Sequence, residues 1–190
     1  MKKVILQTIT LLFAAGCLSA QNLPITADPY ARRGRTKSPD RKYDWIVSES
    51  PTIRYELIDV ATGDAIANVS CYYPSANAMN MRYANAVAVY WNSDSTVVAL
   101  DELNRRRAGR LYFFTLREGK ANEYRAEQFI PIPETTDEAR FVVDPGWISS
   151  TKIRVRLAAK SHGSNPRSKF YFIDFSNPNA PQVQATQENP

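Results

Sequence analysis

The order of apolar and polar positions predicts a protein built mainly of β-strands. Residues 152–157 alternate strictly, with apolar side chains at the odd positions and Lys or Arg at the even positions. A period of two is typical of a strand with one buried and one water-facing side. Residues 170–175 are apolar on both sides apart from Asp174, which predicts an interior strand, and residues 86–91 have the same character.

Helical features are confined to two short stretches. In residues 99–107, Asp101 precedes Arg105 by four positions, which is the favourable order of charges on a helix. The repeat described next predicts a strand over residues 97–100, so we expect any helix to begin after Leu100. Residues 135–138 have the spacing of a capping box, which predicts one helical turn.

Three segments of the chain present the same features in the same order. Each has a polar turn, a β-rich run, and a basic residue that opens an aromatic-rich run. Equivalent positions are 54 to 59 residues apart, a little longer than the periods typical of propellers and solenoids. We interpret the segments as a repeat, the alternative being chance similarity between short strands. The alignment joins Asp40, Asp94 and Ser150, and it joins Arg54, Arg110 and Lys169.

The first copy resembles a known type of blade. Ser38-Pro39-Asp40, followed by a polar pair and a hydrophobic strand, resembles the start of a blade in extracytoplasmic β-propellers of the TolB-like type. Residues 57–64 resemble the strand and turn that follow in such a blade. The chain departs from that pattern at Arg41 and Ser95, where glycine is usual, and at Ser150, where aspartate is usual.

Three copies are fewer than the four or more blades with which propellers close. The resemblance therefore implies blade-like sheets without a complete propeller. We predict an all-β fold with little helix, built from three blade-like antiparallel sheet repeats that form a partial propeller or a sandwich-like arrangement.

Residues 1–20 have the features of an export signal. They contain two lysines near the start, an apolar run up to Gly16, and a small-residue cleavage site that ends at Ala20. We therefore expect an exported protein, periplasmic or extracellular. Residues 14–17 resemble a bacterial lipobox, so the alternative is a lipoprotein anchored to the membrane through Cys17.

The remaining chain divides into three predicted regions. Loss of the two signal lysines lowers the formal net charge from +5 to +3, but residues 32–42 hold six cations and one anion. That segment lacks an apolar period, so we predict a flexible basic arm over residues 21–42. A single β domain is predicted over residues 43–175. Residues 176–190 are rich in Asn, Pro and Gln, which predicts a disordered tail.

Candidate catalytic and metal-binding groups are few. His162 is the single histidine, and Cys71 is the single cysteine after cleavage behind Ala20, which excludes the usual zinc ligand sets. We predict that His162 is a loop residue and Cys71 a small buried one. No cofactor is expected, because the chain lacks a phosphate-cradling glycine loop and a dinucleotide motif. A carboxylate-dependent, glycan-active enzyme is one alternative, with these candidates: Asp59, Asp94, Asp101, Glu102 and Asp174.

Arginines crowd one predicted connection between strands. They are Arg105, Arg106, Arg107 and Arg110. Arginine is enriched at binding hot spots, and loops on β scaffolds commonly carry binding sites. We therefore predict a non-catalytic binding or interaction module for an acidic glycan, a lipid headgroup or an envelope protein, and not for a nucleic acid. The alternatives are a charged loop without a ligand and a structural protein that forms a homodimer through its sheet edges.

Overall fold

Three antiparallel sheets and one helical turn make up the part of the chain that the computed structural model describes, namely residues 36–48, 54–70, 86–103, 110–163, 165 and 167–186. The predicted all-β fold with little helix and three antiparallel sheets is confirmed. Within each sheet, strands that are consecutive along the chain are neighbours.

The sheets are numbered in chain order. The first sheet contains β1 (Tyr43–Ser48), β2 (Arg54–Asp59) and β3 (Ala65–Ser70). The second sheet contains β4 (Ala86–Trp91), β5 (Val97–Leu103), β6 (Arg110–Arg117) and β7 (Lys120–Arg125). After the helical turn α1 (Ala126–Phe129), the third sheet contains β8 (Glu138–Trp147), β9 (Lys152–Lys160), β10 (Arg167–Asp174) and β11 (Gln182–Ala185).

The second sheet is buried on both of its faces. Strand β6 is buried from Leu111 to Leu116, because its alternate side chains enter two different cores. Phe114 lies in the core shared with the first sheet, where its ring centroid is 5.2 Å from that of Trp45. Phe113 lies in the core shared with the third sheet, 5.3 Å from the ring of Phe175. The three sheets are therefore stacked in chain order.

The third sheet confirms two predictions from the apolar pattern. The odd positions of residues 152–157 are buried against the second sheet, and the even positions lie on the other side. Strand β10 is an interior strand that pairs with β9 on one side and β11 on the other. The period of two was therefore sufficient to orient β9.

The turns before β1 and β5 have the same geometry. The Ser38 hydroxyl accepts a hydrogen bond from the Tyr43 amide at 3.0 Å, and the Asn92 side-chain oxygen accepts one from the Val97 amide at 3.0 Å. Arg41 and Ser95 occupy equivalent places with φ of 64° and 60°. This left-handed conformation favours glycine, which explains why a glycine is expected at this position of the turn.

The predicted basic arm over residues 21–42 extends too far. Residues 36–42 belong to the fold: the Asp40 amide donates to Ser95 Oγ at 3.0 Å, and the Trp91 indole N–H donates to the Thr36 carbonyl at 3.0 Å. These contacts join residues far apart in the chain, so the local composition of the arm does not indicate them. Residues 21–35 lie outside the described part of the chain.

The predicted disordered tail is wrong for residues 176–186. Strand β11 pairs with β10, and the carbonyl of Pro178 accepts a hydrogen bond from the Tyr124 hydroxyl at 2.9 Å. All four residues of β11 are exposed, so backbone pairing, not apolar burial, determines this strand. Residues 187–190 lie outside the described part.

The two predicted helical stretches are also wrong where the structure describes them. Strand β5 continues through Leu103, so Asp101 and Glu102 lie on a strand, and Glu138 begins β8. Tertiary pairing with β4 and β6 overrides the helical charge spacing here. No helix in the described ranges is long and apolar enough to cross a membrane.

Candidate functional site

The predicted arginine site is only partly described. Arg105, Arg106 and Arg107 lie outside the described residues. Arg110 begins β6, is exposed, and lies opposite Glu102 in the strand pairing. One of its terminal nitrogens is 3.5 Å from the Tyr112 hydroxyl. The structure therefore places the base of the arginine loop at one end of the second sheet.

Three of the candidate carboxylates form local hydrogen bonds at or beside turns. Asp59 accepts a hydrogen bond from the Ala61 amide at 2.8 Å, and Asp94 accepts one from the Ser93 hydroxyl at 2.9 Å. Asp174 accepts one from the Ser176 amide at 2.9 Å, and this bond, with the nearby charge of Lys152, lowers the pKa of Asp174. Such side-chain bonds to nearby groups are the usual role of Asp in turns. The side chain of Glu102 lies outside the described part of the structure.

Asp101 is the one candidate carboxylate that is buried. It is 1% exposed, and its Oδ1 has no hydrogen-bond partner among the described residues. Burial raises the pKa of Asp101 to about 7, although the charge of Arg140 and a hydrogen bond from the Val143 amide oppose that rise. A strongly raised pKa is a feature of many catalytic acids. A general acid must also reach its substrate, and Asp101 is enclosed between the second and third sheets.

His162 lies in an exposed turn, as predicted. The residues that the structure describes contain no group of three or more His, Cys, Asp or Glu side chains that could hold a metal ion. Cys71 and Cys17 lie outside those residues.

A different surface brings cations and aromatic rings together. It is the outward side of the third sheet, opposite the core that this sheet shares with the second. The side chains on it are half-buried, and cross-strand pairs place Arg154 beside Phe172 and Arg156 beside Phe170. We define the third-sheet face by five residues: Lys152, Arg154, Arg156, Phe170 and Phe172.

Arg154 is held in the middle of this face by two contacts. Its guanidinium carbon is 4.9 Å from the centroid of the Phe170 ring, within the range of a cation–π interaction. Its Nε donates to the backbone carbonyl of Asp144 at 2.7 Å. The guanidinium is therefore oriented before any partner arrives, which reduces the entropy lost on binding.

The charges on the third-sheet face are only partly compensated. Lys152 lies 3.5 Å from an Asp174 oxygen, and Arg156 Nε lies 3.4 Å from an Asp144 oxygen. Arg154 forms no ion pair with any described residue. Arg154 is thus the cation on this face that is available to an external anion.

Half of this face was predictable from the sequence. The alternation of residues 152–157 predicted that Lys152, Arg154 and Arg156 face water, and the structure places them so. The phenylalanines of β10 were expected to lie on an interior strand. They lie on the same side of the sheet as the arginines because of the register between β9 and β10, which the sequence does not indicate. The signal that was available is the alternation of Phe with Tyr and Ile in residues 170–173.

Comparison of the chain with protein-family models, with curated proteins and with solved structures gives no match.

Proposed function

We propose that this protein is an exported, non-catalytic binding module of the bacterial envelope or extracellular space, and that the third-sheet face carries its binding site. The observation on which this depends is Arg154, an oriented cation without a carboxylate partner among the described residues. Arginine and aromatic side chains are the residue types enriched at binding hot spots. The partner therefore presents an anionic group beside an apolar surface.

A protein partner fits this surface better than a glycan or a lipid headgroup. The face lies on a four-stranded sheet and carries half-buried phenylalanines as well as cations. The side of a four-stranded sheet is broad, and broad contact with apolar centres is typical of protein interfaces. An acidic glycan or a lipid headgroup contacts cations without requiring the phenylalanines, so the two cases respond differently to substitution.

Partner recovery from an envelope extract tests this proposal. We expect Arg154→Ser and Phe172→Ser each to reduce recovery of the main partner at least about tenfold, the equivalent of about 1.4 kcal/mol. The matched control is Arg117→Ser, since Arg117 is exposed on the second sheet and, among the described residues, forms only a 3.4 Å ion pair with Glu118. Recovery should also fall with salt, because screening at physiological ionic strength acts beyond about 8 Å.

The predicted arginine loop is tested in the same experiment. An Arg105/Arg106/Arg107→Ser variant measures its contribution beside the two variants on the third-sheet face. Loss with Arg154→Ser but not with Phe172→Ser would favour a glycan or lipid headgroup. Equal recovery by all of the variants would refute the proposed site and the predicted loop together. Hydrolysis of a polysaccharide that one acidic substitution abolishes would favour the enzyme alternative.

A further inference from the structure

The three sheets can be compared position by position. In each sheet, one cross-strand pair lies at the base of the turn that precedes the following strand. Residues at the same number of positions from this pair are equivalent in the three sheets. The closing pairs are Lys37–Asp44, Trp91–Val98 and Trp147–Ile153.

One set of equivalent pairs points toward the next sheet in the stack. In the first two sheets, this pair is buried in the core shared with the sheet that follows. In the third sheet, the equivalent pair lies on the third-sheet face, with no further sheet beyond it in the described chain. The three pairs are Trp45–Leu57, Ala99–Phe113 and Arg154–Phe172.

The other set points toward the preceding sheet. In the second and third sheets, this pair is buried, whereas in the first sheet it lies on the outward side. The three pairs are Asp44–Ile58, Val98–Phe114 and Ile153–Ile173. We define the first-sheet face by the four half-buried residues on that outward side: Asp44, Ile46, Glu56 and Ile58.

The two outward faces have complementary chemistry. The third-sheet face combines two phenylalanines with three cations, of which Lys152 and Arg156 are paired with acids, and the first-sheet face combines two isoleucines with two acids. Glu56 forms no ion pair with any described residue, which is also true of Arg154. Asp44 is 3.9 Å from Lys37, and its Oδ1 is buried without a hydrogen-bond partner among the described residues.

We propose that the third-sheet face of one copy packs on the first-sheet face of a second copy, so that the order of the stack continues between chains. This inference rests on the proposed function, because it names the partner of the same face. The contact would repeat the two sheet-to-sheet contacts that already exist within the chain. It joins unlike faces, so two reciprocal contacts close a dimer if the rotation permits, and otherwise a larger ring or a filament forms.

A second copy satisfies both faces at once. Each chain carries Arg154 on one outer face and Glu56 on the other, and neither forms an ion pair with a described residue. The proposed contact would therefore place Arg154 of one chain on the side of Glu56 of the other. An unrelated acidic protein would cover the third-sheet face and leave the first-sheet face, with its two isoleucines, without a partner. This contact uses sheet faces, and it is therefore distinct from the predicted homodimer through sheet edges.

Two single charge reversals and their combination in one variant test the pairing of these two faces. The mass of the purified protein is measured by light scattering and sedimentation over a range of concentrations. We expect an oligomer that dissociates on dilution, and Arg154→Glu or Glu56→Lys should each raise its dissociation constant at least about tenfold. The variant that carries both changes should return to within about threefold of the original protein, because an acid then again faces a cation.

Arg117→Glu provides the matched charge change away from both faces and should leave the mass unchanged. Arg154→Gln removes the charge without reversing it, and circular dichroism shows whether each variant is folded. Together they distinguish loss of the contact from loss of the fold. A monomer at every concentration, single reversals without effect, or a double variant that stays dissociated would each overturn the pairing. If the monomer still recovers an envelope partner through Arg154, the proposed function stands without this inference. If it recovers none, both fail.

Discussion

Substitution of Asn92 by alanine should destabilise the fold by about 3 kcal/mol. Asn92 is 1% exposed, and its side chain makes four hydrogen bonds in the turn between β4 and β5. Its oxygen accepts from the amides of Thr96 and Val97, each at 3.0 Å. Its nitrogen donates to Thr96 Oγ1 at 3.0 Å and to the Ser150 carbonyl at 2.6 Å, which joins the second sheet to the third.

The magnitude follows from which partners are left without a hydrogen bond. The bond to the Val97 amide is buried. Its loss leaves that amide buried without a hydrogen bond, which costs about 1–3 kcal/mol. The amide of Thr96 and the carbonyl of Ser150 are partly accessible to water, so each adds about 0.5–1 kcal/mol. Thr96 is exposed, so its hydroxyl adds little.

Urea unfolding followed by fluorescence measures this effect. With a denaturant dependence of about 2 kcal/mol per molar, the midpoint for Asn92→Ala should fall by about 1.5 M. Asn92→Ser keeps an acceptor for the Val97 amide, as Ser38 does for Tyr43, and should show about half of the loss. Asn122→Ala, at an exposed site on β7, is the control and should stay within about 0.5 kcal/mol. A midpoint for Asn92→Ala equal to that of the control would show that the hydrogen bonds of Asn92 do not stabilise the fold.

Two further predictions concern the buried acid and the processing of the chain. Because the pKa of Asp101 is raised from 3.8 to about 7, the folded protein keeps a proton that the unfolded chain releases, so stability should fall as pH rises between these values. Asp101→Asn should remove this pH dependence. At pH 8 the variant should be more stable than the original protein by up to about 4 kcal/mol, with no such gain near pH 4. Equal urea midpoints for the two proteins at pH 8 would contradict this prediction. The intact mass of the native protein should correspond to a chain that begins at Gln21, whereas a diacylglyceryl mass on Cys17 would establish the lipoprotein.

The strands that were predictable from sequence are those whose sides differ in polarity. Strand β9 alternates between apolar and basic residues because one side enters the core, and the apolar run of β10 reflects its interior position. The aligned basic residues Arg54 and Arg110 begin β2 and β6, which are the second strand of the first sheet and the third strand of the second sheet. Local pattern was sufficient for these features because each depends on burial of the strand itself.

The features that sequence did not predict depend on distant pairing. Strand β11 has no apolar side, so its existence depends on the free edge of β10. Residues 36–42 are highly charged, and their order comes from bonds to Ser95 and Trp91. The third-sheet face required the register of β9 against β10, which places Arg154 and Phe172 side by side. Composition alone contains none of this information.

The strand order within each sheet has a consequence for how the chain folds. Each sheet uses one continuous segment, so its pairings are local, and local contacts form faster than distant ones. Because synthesis starts at the N-terminus, the growing chain can complete its sheets one after another. The first and second sheets nevertheless each have an apolar side that stays exposed until the following sheet forms, and for the second sheet this lasts until β8 to β10 arrive. Interruption of synthesis between residues 125 and 138 would leave that side of the second sheet open to aggregation.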